Sequence, residues 1–159
     1  MMLPRTLVLG IGSDLGDDRL GWRVIELLKA YDLPDLQLRT LRVPLQLLDL
    51  EVHCDRWLLV DAVVGEHPAG TIFHWEWPYV PEVADSQRGS HGFALPAVLR
   101  LAAELNRLPT MVQVWGVVVN AHDCLPQQTG FALTDSVAAG VAEVVQRIYE
   151  QCSRRNVHA

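Results

Sequence analysis

The sequence predicts an α/β fold, a three-layer α/β/α sandwich around a twisted, mostly parallel sheet of about five strands with one strand antiparallel. Two observations predict it. Short apolar runs bounded by glycine or polar residues alternate with segments whose apolar residues recur at helical spacing. Half of the 159 residues are hydrophobic, which suits one domain with one core. We assign residues 1–152 to this domain and residues 153–159 to a frayed tail.

The first elements are predicted from apolar runs and their spacing. Residues 6–12 form an apolar run closed by glycines, which is typical of a central strand buried on both faces. After a polar loop, apolar residues at helical spacing predict a helix over residues 18–31. Residues 36–41 alternate between apolar and polar like a more exposed strand, and Pro44 opens a short helix.

The next two predicted strands are joined by a short turn. Residues 57–64 form a second buried strand, and a turn at residues 65–70 leads to a strand over residues 71–77. We expect these two strands to pair as a hairpin.

The second half of the chain begins with a predicted loop over residues 78–92, rich in proline, serine, glycine and charge. A helix over residues 95–106 and a buried strand over residues 111–118 follow. After a polar connection, Thr134 is the expected N-cap of a last helix.

The charge and cysteine content restrict the partners. Acidic residues outnumber basic ones by 19 to 13, so no cationic field favours nucleic acid. The three cysteines form no CxxC pair, which argues against a thiolate zinc site and suits a reducing cytoplasm, where we expect the protein. No apolar run approaches the roughly 18 residues that span a bilayer, so we expect no membrane partner.

Ligands of open α/β sheets bind beyond the carboxyl ends of the strands, which directs the search to the loops there. The loop after the first strand carries three carboxylates, those of Asp14, Asp17 and Asp18. They would repel a pyrophosphate, and Leu15 stands where the third glycine of a dinucleotide motif belongs. The loop therefore favours a cation, unless Asp17 and Asp18 only cap the following helix.

Asp61 interrupts an otherwise apolar strand. Burying an unpaired carboxylate costs several kcal/mol, so this residue needs a hydrogen-bonding partner, a metal or a catalytic role.

The fold rule brings Asp18, Asp61 and His91 to one edge of the sheet. Two carboxylates and an imidazole can bind a divalent transition metal and leave positions open for substrate. The same groups can run hydrolysis without a metal, one carboxylate activating water. The spacing of these residues does not decide between metal binding and metal-free hydrolysis. His91 is also compatible with a purely structural place at the start of a helix. His122 with Asp123 forms a secondary candidate in the last loop.

Four stretches carry a family resemblance, in order LVLGIGSDLGDDRLG (7–21), LVDAV (59–63), SHG (90–92) and WGVV (115–118). Together they resemble the signatures of the hydrogenase maturation endopeptidases, which remove a C-terminal extension from the large subunit of [NiFe] hydrogenases. The resemblance extends to about residue 150.

The resemblance implies the roles of the three candidate residues. Asp18, Asp61 and His91 match the family's metal-contacting positions, which are thought to recognise nickel already inserted in the precursor. Nickel would then arrive with the substrate, and no cofactor would be permanently bound. Asp18 and Asp61 would be the catalytic acids of an aspartic-type peptidase.

Two departures from the family pattern bear on specificity. Ser13 stands where asparagine is usual, a modest change because both side chains bond loop amides. The stretch RVPLQL (42–47) replaces the common DGGTxG stretch and resembles the branch that serves bidirectional or NAD(P)-linked hydrogenases. Gln46 and Asp17 are our candidates for recognising the substrate.

We therefore expect a cytoplasmic endopeptidase that docks on a nickel-loaded large-subunit precursor and cleaves one peptide bond near its C-terminus. One alternative is a module that binds the precursor or a metal without cutting. The other is a serine hydrolase using Ser13, which needs a histidine poised by an acid. His158 lies in the tail, and His122 with Asp123 lacks the spacing of the Ser-Gly-Asn-His esterases.

Overall fold

The computed structural model describes residues 5–50, 53–85, 94–125 and 132–157. Its strands are β1 (Thr6–Ile11), β2 (Leu36–Leu41), β3 (Arg56–Val64), β4 (Ile72–Glu76) and β5 (Met111–Val119). They form one sheet in the order β2-β1-β3-β5-β4, in which β4 alone runs antiparallel, against β5. The predicted fold class is confirmed.

Helices cover both faces of this sheet. They are α1 (Leu20–Leu28), α2 (Glu82–Asp85), α3 (Leu95–Glu104) and α4 (Asp135–Val157), with 3-10 turns at Gly16–Arg19, Pro44–Asp49 and Ala121–Cys124. The helices α1 and α4 pack on one face, and α3 packs on the other with the 3-10 turn that Pro44 opens. Within the described ranges, no helix combines the length and the apolar character that crossing a bilayer requires.

The alternation of side chains along each central strand builds two cores. On β1, Leu7 and Leu9 face α3, while Val8 faces α1 and α4, and all three are fully buried. Trp57 and Leu58 of β3 divide in the same way. Apolar side chains on both faces explain why the central strands appear in the sequence as continuous apolar runs.

The start of α1 lies directly against the end of β1, backbone to backbone. A Cβ atom added at Gly10 would collide with the carbonyl oxygen of Gly21, and one added at Gly21 would collide with the carbonyl oxygen of Ile11. A Cβ atom at Gly12 would lie 2.5 Å from the carbonyl oxygen of Asp18. These glycines therefore allow a strand and a helix to meet without side chains between them.

The predicted hairpin is wrong, because β4 pairs with β5 and not with β3. The chain between β3 and β4 crosses the end of β5 instead of folding back on β3. Gly70 N–H donates to the Val118 carbonyl at 2.8 Å, and Val118 N–H donates to the Thr71 carbonyl at 2.9 Å. These bonds begin the antiparallel pairing with β5, so β4 becomes the edge strand beyond it.

Helix boundaries differ from the prediction at several places. The segment predicted as helix over residues 18–31 begins as the 3-10 turn Gly16–Arg19, continues as α1 and ends at Leu28. The last helix, α4, runs to Val157 and so includes most of the tail that we expect to fray. The predicted loop over residues 78–92 contains α2, and its residues 86–92 lie outside the described part.

The contact between β1 and α1 predicts that Gly21→Ala destabilises the protein. Alanine improves helix propensity by about 1 kcal/mol, but its Cβ atom would overlap the Ile11 carbonyl oxygen, which belongs to a rigid central strand. We expect a net loss of about 2–3 kcal/mol in the free energy of unfolding, measured by urea titration.

The control is Gly65→Ala, whose Cβ atom would meet, among the described residues, only a Val83 methyl group, at 3.4 Å. We expect this variant to stay within about 0.5 kcal/mol of wild type. Equal stability of the two variants would contradict the proposed backbone contact.

Candidate functional site

Asp18 and Asp61 both lie at the carboxyl edge of the parallel strands. Asp18 is in the 3-10 turn that follows β1, and Asp61 is in the last part of β3, opposite Gly116 of β5. Both residues are partly exposed to solvent. His91, the third residue of the predicted constellation, lies outside the described residues.

The carboxylate of Asp18 is oriented by the loop in front of it. The Ser13 hydroxyl donates to Asp18 Oδ2 at 2.6 Å and accepts the N–H of Leu15 at 3.3 Å. Ser13 N–H also donates to the carbonyl oxygen of Asp18, at 3.3 Å. The predicted bond from Ser13 to a loop amide is therefore confirmed, and the same hydroxyl also holds the candidate catalytic acid.

Asp61 is the most strongly perturbed acid of the site. Burial raises its pKa to about 8, and the negative charge of Asp18 adds to the rise. The N–H of Ala62, which donates to Asp61 Oδ1 at 2.8 Å, opposes the rise. Near neutral pH, Asp61 therefore holds a proton, and the effect of Asp18 on its pKa shows that the two carboxyl groups lie within electrostatic reach of each other.

Cys124 lies beside the same turn, a neighbour that the sequence analysis missed. Burial raises the pKa of its thiol to about 11, and the charges of Asp18 and Asp17 contribute to the rise. The thiol donates to the carbonyl oxygen of Asn120 at 3.7 Å. It therefore stays protonated near neutral pH, which makes it a poor nucleophile. A lone cysteine without a nearby motif carries no sequence signal for this placement.

Asp17 has a different environment from its neighbour. It is 1% exposed. Its Oδ1 accepts the N–H of Thr134 at 2.8 Å, and its Oδ2 accepts the Thr134 hydroxyl at 2.7 Å. The carboxylate is therefore fully engaged inside the protein, joining the turn after β1 to the residue before α4.

Gln46, the other candidate for substrate recognition, caps its own segment. Its Oε1 accepts the N–H of Arg42 at 2.6 Å and that of Val43 at 3.2 Å. Arg42 also stacks its guanidinium 5.3 Å from the Trp22 ring centroid, and the Trp22 indole donates to the Leu41 carbonyl at 2.9 Å. The amide oxygen of Gln46 thus shapes the loop after β2, which leaves Val43 exposed.

The secondary candidates His122 and Asp123 lie in the 3-10 turn Ala121–Cys124, which packs against the turn that carries Asp18. His122 Nε2 lies 3.5 Å from Asp123 Oδ2, but the His122 side chain is 75% exposed. The Ser13 hydroxyl, required as nucleophile by the serine-hydrolase reading, donates to a carboxylate, and none of the described histidines contacts it. In the described part of the chain, the geometry therefore favours acid chemistry over a Ser-His pair.

No group of three or more His, Cys, Asp or Glu side chains in the described ranges is arranged to hold a metal ion. The carboxylates of Asp18 and Asp61 could contribute two oxygen ligands, which bind borderline metals less firmly than thiolates do. Near neutral pH, the carboxyl group of Asp61 carries a proton, and that of Asp18 accepts a hydrogen bond from Ser13. One proton donor beside one acceptor suits general acid–base catalysis, which needs no metal.

The fold is similar to those of several solved endopeptidases and maturation proteases. The maturating endopeptidase HybD from E. coli is 24% identical, over 94% of this chain and 93% of that chain, with a TM-score of 0.74. An endopeptidase from Escherichia coli, solved in solution, is 24% identical over 91% and 89%, with a TM-score of 0.77. The [NiFe] hydrogenase maturation protease HybD from Thermococcus kodakarensis is 23% identical over 93% and 99%, with a TM-score of 0.65.

At these identities the structural similarity establishes the fold alone. No curated protein sequence matches the chain significantly. Membership follows from a sequence model of a family, HycI hydrogenase maturation protease, which matches residues 23–151 and so most of the chain. By this match the chain belongs to the hydrogenase maturation protease family.

Proposed function

We propose that this protein is a cytoplasmic endopeptidase that recognises a nickel-loaded [NiFe] hydrogenase large-subunit precursor and removes its C-terminal extension. The observation that carries the proposal is the pair formed by Asp18 and Asp61 at the carboxyl edge, where one carboxyl group holds a proton near neutral pH. Family membership supplies the reaction class, peptide-bond hydrolysis in hydrogenase maturation.

Peptide hydrolysis needs two proton transfers, and in this proposal Asp18 and Asp61 each carry out one of them. Asp18, which accepts a hydrogen bond from Ser13, takes a proton from the attacking water as its oxygen bonds to the carbonyl carbon. Asp61 gives its proton to the amine nitrogen as the carbon–nitrogen bond breaks. One water is thereby added across the bond, and a proton transfer between solvent and the two acids restores the starting state.

Nickel belongs to the substrate in this proposal. In this proposal Asp18 and Asp61 contact the nickel through carboxylate oxygens, and His91, which lies outside the described residues, is the third ligand. Such a set can sample a nickel ion that cysteines of the precursor already hold, without extracting it. The branch that serves bidirectional hydrogenases stays a prediction from the stretch RVPLQL (42–47), and the comparisons do not support it.

The main alternative is a module that binds the precursor without cutting it. The raised pKa of Asp61 disfavours this reading, because such perturbation of an acid near a second acid is typical of catalytic sites. Binding of the precursor without release of a peptide would nevertheless establish it.

The acid pair predicts that Asp18→Asn and Asp61→Asn each lower the rate of precursor cleavage by about 100-fold or more, since each removes one proton transfer. The measurement is the appearance of the shortened large subunit, followed by mass spectrometry, when purified protein is mixed with nickel-loaded precursor.

The matched control is Asp14→Asn, the same change at an exposed aspartate of the same loop. We expect it to cleave like wild type. Undiminished cleavage by either acid variant would remove that residue from the catalytic role.

Recognition of nickel predicts that cleavage depends on whether the precursor carries the metal. Precursor that carries nickel should be cleaved, and the same precursor prepared without nickel should stay intact, because its metal would not be there to contact Asp18, Asp61 and His91. Equal rates for both preparations would contradict recognition of nickel but would leave the peptidase activity in place.

The pKa of Asp61 predicts a pH-dependent cost in stability. In the unfolded chain this carboxyl group titrates near pH 4, whereas its pKa in the folded protein is about 8. Between these values folding takes up a proton, so this group's contribution to stability falls as pH rises and is lowest above pH 8. We expect the free energy of unfolding of Asp61→Asn to exceed that of wild type by roughly 1–2 kcal/mol at pH 8. This is less than the whole pKa difference implies, because Asp61 is partly exposed and solvent screens its charge.

This advantage should shrink toward zero as the pH approaches 4, which urea titrations at several pH values can follow. Asp14→Asn provides the baseline for a neutralised aspartate. An advantage of Asp61→Asn that is the same at every pH would contradict the raised pKa.

A further inference from the structure

The turn that carries Asp18 is tied, through Asp17, to a residue far along the chain. Asp17 accepts two hydrogen bonds from Thr134, one from its N–H at 2.8 Å and one from its hydroxyl at 2.7 Å, across 117 residues of sequence. Asp17 is 1% exposed, so its carboxylate depends on these bonds and not on water. Two donors on the two oxygens of one carboxylate fix its orientation as well as its position.

Thr134 is itself exposed, but it stands at the start of a helix that is packed into the core. It directly precedes α4, and its carbonyl oxygen accepts the N–H of Ala138 at 2.9 Å, which confirms its predicted N-cap position. The helix packs its apolar face into the core through Val137, Val141, Val144, Val145 and Ile148. The charge of Asp17 also lies at the positive end of a long helix, which favours the link further.

The position of Asp18 follows from that of Asp17. The two residues are consecutive in a four-residue 3-10 turn, so a shift of one Cα atom moves the next, 3.8 Å away, almost equally. Ser13 orients the Asp18 carboxylate, but it does so from the same loop and would move with it. The bonds from Thr134 therefore tie the turn to the start of α4, in addition to the packing of the turn Ala121–Cys124 against it.

We propose that Thr134 is a positioning residue of the candidate active site, which acts through Asp17 to hold Asp18 in place relative to Asp61. The inference rests on the catalytic role proposed for Asp18. It also gives Asp17 a function inside the protein in place of direct contact with the substrate, because both of its carboxylate oxygens are engaged.

The test uses Thr134→Val, which removes the hydroxyl and keeps both the shape and the backbone N–H. Loss of one of the two bonds should let the turn move. Because misplacing a catalytic group by about 1 Å can cost about 100-fold in rate, we expect kcat to fall about 10- to 100-fold while KM changes little. Thr134→Ser, which keeps the hydroxyl, should restore kcat close to the wild-type value.

The matched control is Thr71→Val, which removes a hydroxyl that donates to the Pro68 carbonyl at 2.6 Å in the loop before β4. We expect this variant to keep the wild-type kcat. A purely structural role for Thr134 would lower the melting temperature of Thr134→Val but leave its kcat, measured well below that temperature, unchanged.

Hydrogen exchange gives a readout that does not depend on cleavage. Asp18 N–H donates to the Leu15 carbonyl at 3.0 Å, and Ser13 N–H donates to the Asp18 carbonyl at 3.3 Å, so both amides report on the turn. We expect both to exchange faster in Thr134→Val, with exchange in β1 unchanged. Wild-type exchange at both amides, or a wild-type kcat, would overturn the proposal.

Asp18→Asn, measured in parallel, separates this proposal from the proposed function. If Asp18→Asn cleaves like wild type, the catalytic role of Asp18 fails, and the exchange of the two amides alone decides whether Thr134 holds the turn. If Asp18→Asn is inactive and Thr134→Val is fully active, only the positioning role fails.

Discussion

The direct contact between the backbones of β1 and α1 is the constraint on which the candidate site depends. Gly10 and Gly21 allow strand and helix to touch, and Gly12 allows the Asp18 carbonyl to approach the end of the strand. The chain must therefore reverse within a few residues, and Gly16, with φ of 54°, supplies the left-handed conformation that this reversal uses. In a dinucleotide-binding fold similar glycines make room for a pyrophosphate. Here they make room for the protein's own backbone.

Asp61 is an acidic residue within an apolar stretch of β3. The residues around it on β3 are apolar, and the strand is central to the sheet, so an ionised carboxylate is disfavoured there. The protein tolerates the residue by keeping it protonated near neutral pH, with Ala62 N–H as a close donor. The same burial that lowers stability supplies a proton donor at a pH where an ordinary aspartate has none. In the proposed mechanism, stability and chemistry thus conflict at this position, a conflict that is typical of functional sites.

Local patterns were sufficient to predict every strand, because each strand is a short apolar or alternating run with polar or glycine boundaries. They were insufficient for the pairing of β4, which depends on bonds that Gly70 and Thr71 make with Val118 across the end of β5. Asp18 and Asp61 were predicted as site residues because the fold rule and an interrupted apolar strand single them out. Cys124 was missed, because its nearness to Asp18 arises from the packing of one 3-10 turn on another.

Asp17 and Asp18 show the limit of sequence reasoning most directly, since they are identical neighbours in one turn. Either residue suits helix capping or cation binding when judged from its surroundings in the sequence. The difference between their surroundings arises from Thr134, 117 residues later, which donates two hydrogen bonds to Asp17. Asp17 is buried with one hydrogen bond on each carboxylate oxygen, whereas Asp18 is partly exposed to solvent at the carboxyl edge, within electrostatic reach of Asp61. In the proposed mechanism, this tertiary link therefore decides which of the two neighbouring carboxylates is available for chemistry.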